Sequence, residues 1–233
     1  MPSTNIRSVK IDPTHGARIT IEMGSGRATE VDSSPFFVGV QPVLKHLAPN
    51  ESIYREGDRA DRIYRIISGI VRDFRHISHG RRQITEFHGP GDIFGFNDGS
   101  RISSADAIGP VSLFIYRWQS QTDIGTGIGP TTNEILVQLL RHIERLQQHA
   151  ILLGRRSAVE KLAIFLSRQA GRTGTVDWVA LGMNRLDIAD YLGLTVESVS
   201  RAFSALERQA LIEIISAREI KLTNPVALSR FDA

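Results

Sequence analysis

Glu197, Ser200, Arg201 and Ser204 recur at i, i+3, i+4 and i+7, the spacing that places four side chains on one face of a helix. Their types suit a nucleic-acid duplex. A guanidinium can donate to guanine O6 and N7 together, and a carboxylate can accept from cytosine N4. A hydroxyl near a helix N-terminus can bond a phosphate oxygen. Thr195 stands where it would cap such a helix. Val196, in the first turn, can meet a thymine methyl, and Arg208 extends the stripe. Every surface helix has a polar face, so the stripe gains meaning only from the elements around it.

A second group of residues admits a different chemistry. His76, His79 and His88 lie in one β-rich stretch with Glu86 nearby, and imidazole is the commonest transition-metal ligand. A cupin-like metal site wants two histidines one residue apart with a glutamate shortly after. His76 and His79 are three apart, so on a strand they face opposite sides. Three surface or turn histidines are the simpler reading, and no metal, cofactor or catalytic residue is expected.

The elements around the stripe are legible. Asn184 can cap a helix with Asp187 at the third position, and Ile188, Ala189 and Leu192 form its buried face. Ala189 is small enough for a second helix to cross closely. Gly193 supplies a tight turn, Thr195 caps the next helix, and Val199, Phe203 and Leu206 point inward. This is a helix-turn-helix. Leu211–Ile215, the turn Ser216-Ala217-Arg218 and Glu219–Leu222 read as a β-hairpin wing, on which Arg218 and Lys221 either touch phosphate or stay solvated.

Upstream, Gly129-Pro130-Thr131-Thr132 opens a long helix. Leu136, Leu139, Ile143, Leu146, Ala150 and Leu153 step by 3, 4, 3, 4 and 3, a heptad seam that predicts a parallel homodimer. Leu140, Ile151 and Leu152 form a second apolar flank able to hold the chain's own barrel. Gly154-Arg155-Arg156 breaks the pattern as a hinge. Ser157 and Glu160 then make a capping box for a helix that Gly171 should stop.

Before the long helix, short β-rich pieces alternate with glycine turns: Ser52–Tyr54, Arg62–Ile67, Ile70–Phe74, Gln83–Phe87, Ile93-Phe94 and Val111–Arg117. That texture predicts a small antiparallel barrel or jelly roll. Residues 1–34 read as a mobile arm with one strand near Arg18–Glu22. The fold class is therefore α+β, in four parts. They are an arm (1–34), a β-roll (35–128), a dimerisation helix with hinge (129–156) and a winged helix-turn-helix (157–233).

Composition limits the alternatives. The 233 residues hold no cysteine, which removes disulfides, thiolate metal sites and iron–sulfur clusters. No apolar run approaches the ~18 residues of a membrane span, and no secretory leader opens the chain, so a cytoplasmic protein is expected. The net charge of +3 permits an acidic partner without requiring one.

In the order β-roll, dimer helix, hinge and winged helix-turn-helix, the chain resembles the CRP/FNR family of bacterial transcription regulators. Residues 186–201 are similar to its FNR and FixK branches, whose E-x-x-S-R recognition signature is matched by Glu197, Ser200 and Arg201. The CRP branch places an arginine just before the glutamate, where this chain has Val196. The resemblance implies a homodimer that binds a TTGAT-N4-ATCAA-type palindrome in promoter DNA and contacts RNA polymerase through its β-roll. FNR's cluster cysteines are absent. The Gly-Glu and Arg-Ser pairs of a CRP-type nucleotide pocket are also missing from Gly95–Ala105, which leaves Arg101 as a loop charge. A sensor-poor, FixK-like activator fits these departures, and the resemblance implies microaerobic and nitrogen-fixation genes as its targets. A regulator gated by a small effector in the β-roll is the alternative.

Overall fold

The structure, a computed structural model, describes residues 6–12, 18–23, 28–31, 42–77, 80–117, 132–155, 157–175 and 177–232. Three antiparallel strands come first, β1 (Ile6–Asp12), β2 (Arg18–Met23) and β3 (Ala28–Val31), in the order β1-β2-β3. The expectation of an arm with a single strand is corrected. Val9 and Ile11 fall opposite Ile21 and Ile19, so two alternating runs find each other in register.

The roll is built from β4 (Val43–Leu47), β5 (Ser52–Tyr54), β6 (Arg62–Ser68), β7 (Val71–His76), β8 (Arg82–His88), β9 (Ile93–Phe94), β10 (Ser104–Ala107) and β11 (Val111–Arg117). They form two four-stranded sheets, β5-β10-β7-β8 and β4-β11-β6-β9. Ile66, Val71 and Leu113 fill the interior between them. Two strands were not expected from the sequence. Ser104-Ala105-Asp106-Ala107 has weak strand propensity, yet Ala105 and Ala107 are fully buried between β5 and β7. Backbone pairing with both neighbours and burial in the roll interior set the strand, and packing overrides propensity.

Beyond the roll run α1 (Thr132–Gly154), α2 (Ala158–Thr173), β12 (Trp178–Ala180), α3 (Arg185–Leu192), α4 (Val196–Arg208), β13 (Ile212–Ile214), β14 (Glu219–Leu222) and α5 (Pro225–Ser229). A 3-10 turn, Arg230–Asp232, follows. The capping box of α2 is present. Ser157 Oγ accepts from Glu160 N at 3.5 Å, and Glu160 Oε2 accepts from Ser157 N at 3.3 Å. Gly171 does not stop α2, which continues to Thr173 and ends at Gly174 with φ +67°. One glycine within a packed helix costs only about 1 kcal/mol, too little to end it.

The wing has a third strand, in the order β12-β14-β13, and the sequence did not show β12. Its Val179 joins a core made by α2, α3, α4 and the wing. Phe74, Ile84 and Phe87 of the roll belong to the same core, so the C-terminal unit is seated directly on β7 and β8.

Candidate nucleic-acid interface

The local sequence builds α3 and α4 as expected. Asn184 Oδ1 accepts from Asp187 N at 2.8 Å, and Asp187 Oδ2 accepts from Asn184 N at 3.4 Å, a reciprocal cap. Gly193 turns the chain at φ +64°, a left-handed conformation that a side chain would strain. Thr195 Oγ1 then accepts from Ser198 N at 3.2 Å and caps α4.

Val199, Ala202, Phe203 and Leu206 are buried on the inner face of α4. Glu197, Ser200, Arg201, Ser204 and Arg208 are exposed on the outer face, while Val196 is half-buried in the first turn. The six residues singled out as DNA-reading thus lie on α4 and its N-cap, Thr195. Thr195 already spends its hydroxyl on the cap, and Ser200 Oγ donates to Val196 O at 3.0 Å. The Glu197 carboxyl is held below its usual range by its own backbone N–H and the Thr195 hydroxyl, with Arg201 adding a smaller pull. It therefore stays an acceptor. Arg185 of α3 stacks its guanidinium 3.3 Å over the Phe203 ring, tying the two helices together. On the wing, Arg218 is exposed, and Lys221 is 3.4 Å from Glu213.

The long helix α1 departs from expectation in its inner face. The residues it turns toward the rest of the chain are Gln138, Leu139, His142, Arg145, Gln148, His149 and Leu152, five of them polar. Its apolar flanks face outward, with Leu136 52%, Leu140 56%, Ile143 49% and Ile151 60% exposed. Leu146, Ala150 and Leu153 are exposed as well, and Leu139 is half-buried. The second flank therefore does not hold the barrel, apart from Leu152. That work falls to polar pairs with Glu86, which His142 Nδ1 meets at 2.7 Å and Arg145 also reaches.

Burial alone would raise the Glu86 carboxyl, but His88, His142 and Arg145 outweigh it and hold it down to about 2. The depression contributes about 3 kcal/mol at neutral pH, present above about 4.5 and lost as the pH falls toward about 2. Glu86→Gln should lower stability at pH 7 by on the order of 2–3 kcal/mol and flatten the acid limb. Urea unfolding across pH 3–7 measures both; parallel curves for the two proteins would contradict the account.

Two family models match the chain. A Crp-like helix-turn-helix domain covers residues 160–231, and a cyclic nucleotide-binding domain covers residues 44–123. The nitrogen fixation regulation protein FixK of Rhizobium meliloti is 40% identical over 181 residues, 77% of this chain and 82% of that protein. FixK of Azorhizobium caulinodans is 37% identical over 223 residues, covering 91% and 88%.

The chain belongs to the CRP/FNR family, in its FixK branch.

The solved FixK2 structure of Bradyrhizobium japonicum superposes with a TM-score of 0.75 at 34% identity, over 83% of this chain and 98% of that one. This CRP/FNR protein is a DNA-binding transcription regulator rather than an enzyme. Among its described residues no helix is long and apolar enough to cross a membrane.

Its β-roll bears a partly open cavity of about 160 Å³, bordered by Tyr54, Asp73, Glu86, His88 and Phe94, with His142 of α1 at the edge. A phosphate placed there would meet two carboxylates. Arg101 is not a loop charge, as the sequence suggested. It is 2% exposed, its guanidinium donating to Gly95 O and Arg62 O and lying 4.4 Å over the Tyr54 ring. Burial pushes the His88 imidazole down, but Glu86 and Asp73 outweigh it and raise it above the usual value. His76 and His88 sit at opposite ends of the β7–β8 ladder, opposite Arg82 and Val71, roughly 16 Å apart. His79 lies outside the described residues. Among the described residues no three His, Asp or Glu side chains are placed to hold a metal.

Proposed function

We propose that the chain works as a homodimer that reads a TTGAT-N4-ATCAA-type palindrome and activates transcription from it. The observation that carries this reading is the exposed row of Glu197, Ser200 and Arg201 on a helix whose other face is buried. Arg201 reads guanine, Glu197 accepts from the opposite strand's edge, and Ser200, Ser204 and Thr195 approach the backbone. Val196 packs near a thymine methyl. The outward apolar face of α1, through Leu136, Leu140, Ile143, Leu146, Ala150 and Leu153 with half-buried Leu139 at its edge, meets a second copy, which sets the half-sites about one helical turn, roughly 34 Å, apart. Contacts from the β-roll surface to RNA polymerase complete the role, in the cytoplasm. The relatives named for nitrogen fixation support target genes in that process.

Fluorescence anisotropy tests the reading with two duplexes, the palindrome and the same half-sites as a direct repeat. Two protomers per duplex and tighter binding of the palindrome by roughly tenfold or more are expected. Equal affinity for both would sink the palindromic reading. Val196→Arg should shift preference toward a half-site with an added guanine, by roughly 1–3 kcal/mol. Competition among variant half-sites measures this, and an unchanged ranking would place residue 196 away from the groove.

A second reading keeps the DNA-binding role and adds a small effector. The β-roll cavity favours it, because both ring nitrogens of His88 and Asp73 Oδ1 are buried there without a hydrogen-bond partner. Calorimetry against cyclic nucleotides, organic acids and amines separates the readings by the presence or absence of binding heat.

A further inference from the structure

The first helix of the helix-turn-helix carries more charge than a scaffold helix needs. Asp187 is 1% exposed, and its Oδ1 accepts from Arg72 Nη1 at 2.9 Å and from Arg82 Nη2 at 2.8 Å. Its other oxygen is the one that caps α3. Asp190 Oδ2 accepts from Arg82 Nε at 2.9 Å and Nη2 at 2.7 Å. Both arginines belong to the β-roll.

The other end of α3 is held as firmly. A helix leaves its last carbonyls without intrahelical partners. Here Gln83 Nε2 of β8 donates to Asp190 O at 2.7 Å, and Lys161 Nζ of α2 donates to Leu192 O at 3.2 Å. His149 Nε2 of α1 lies 2.8 Å from Tyr191 O, with the two rings stacked at 4.0 Å. Just before α3, Gly182 lies against Ile70, where a side chain would collide with Ile70 Cδ1. Elements β7, β8, α1 and α2 thus converge on one short helix.

We propose that α3 is the member through which the β-roll aims the recognition helix, with Asp187 and Asp190, seated on Arg72 and Arg82, as positioning residues for DNA recognition. This rests on the DNA-binding reading above. Buried ion pairs recover little more than their desolvation cost, and apolar packing would glue the two surfaces as well. What paired, hydrogen-bonded charges add is a single geometry. Because α3 fixes α4 through the Ala189 crossing and the Gly193 turn, that geometry reaches the recognition helix. The hinge at Gly154 and Arg155 would otherwise leave the helix free to rotate relative to α1.

The test uses the full chain and exploits its lack of cysteine. Spin labels on Arg59→Cys in the roll and Gln209→Cys after α4 report the interdomain distance distribution by pulsed electron resonance. Labelled wild type, diluted with excess unlabelled chain so that a dimer carries one labelled copy, should give one narrow distance. Arg82→Glu, which sets like charges against Asp187 and Asp190, should broaden it and cost roughly tenfold or more in affinity for the palindrome, with non-specific binding nearly unchanged. Adding Asp190→Arg exchanges the charges across the interface and should restore the narrow distance and the affinity to within about threefold. If Arg82→Glu fails to fold, Arg82→Met keeps the stem, removes the charge and is read the same way.

A native distance distribution in the uncharged or reversed variant would overturn the proposal. So would a broadened distribution with palindrome affinity kept or increased. A wild-type chain that binds no duplex would contradict the DNA-binding reading instead. The distance measurement needs no DNA, so it would still decide whether the pairs hold the domain.

Discussion

Arg201→Ala is expected to erase half-site discrimination while leaving weak, salt-sensitive binding. Arg201 is exposed on the outer face of α4, four residues after Glu197. A bidentate arginine–guanine pair gives roughly 1–3 kcal/mol of discrimination, and a dimer loses two of them, about 2–6 kcal/mol in all. Contacts to phosphate from residues such as Arg208 and Arg218 would remain, and these carry non-specific affinity and its salt dependence. Truncation should not unfold the domain, because no inner-face contact is removed. Titrations of a TTGAT duplex and a G-substituted duplex, at two salt concentrations, measure the discrimination. A variant that keeps the wild-type margin between them would show that Arg201 does not read the base.

Leu140→Lys with Ile143→Lys should give monomers of half the mass by light scattering, with palindrome affinity falling by several orders of magnitude. These two side chains are 56% and 49% exposed in the single chain, so lysines there meet only solvent until a second copy covers them. In a dimer they would bury four unpaired charges, each costing several kcal/mol. The structure selects these positions over Leu139, which is half-buried against its own chain. Once the dimer is lost, each half-site binds alone and the multivalent gain disappears. A dimer that survives both lysines would place the subunit interface elsewhere.

The parts of the fold that the sequence showed are those set by local chemistry. Asn184, Asp187, Gly193 and Thr195 specify two capped helices and a turn through residues at most a few positions apart, and each bond is present. The α4 inner face follows from helical period alone. What the sequence hid depends on partners far along the chain. Asp187 was legible as a cap, but the arginines on its other oxygen are 105 and 115 residues away, and no spacing rule connects them. The strand Ser104–Ala107 was hidden because its alanines acquire strand geometry from neighbours rather than from propensity. The inner face of α1 was misassigned for a related reason. The flank Leu140, Ile151 and Leu152 reads from sequence as the barrel-facing side, whereas Glu86 on β8 draws His142 and Arg145 inward and leaves Leu140 and Ile151 in solvent.

The central claim is that two copies of the chain present their α4 helices to an inverted repeat read by Glu197, Ser200 and Arg201. Selection of this chain on a library of random-sequence duplexes tests it most directly. The account predicts enrichment of TTGAT and ATCAA half-sites in inverted orientation across a four-base spacer, with the guanine in each half-site lost from the consensus in Arg201→Ala. Enrichment of a single half-site or a direct repeat, or a consensus unchanged by Arg201→Ala, would contradict it.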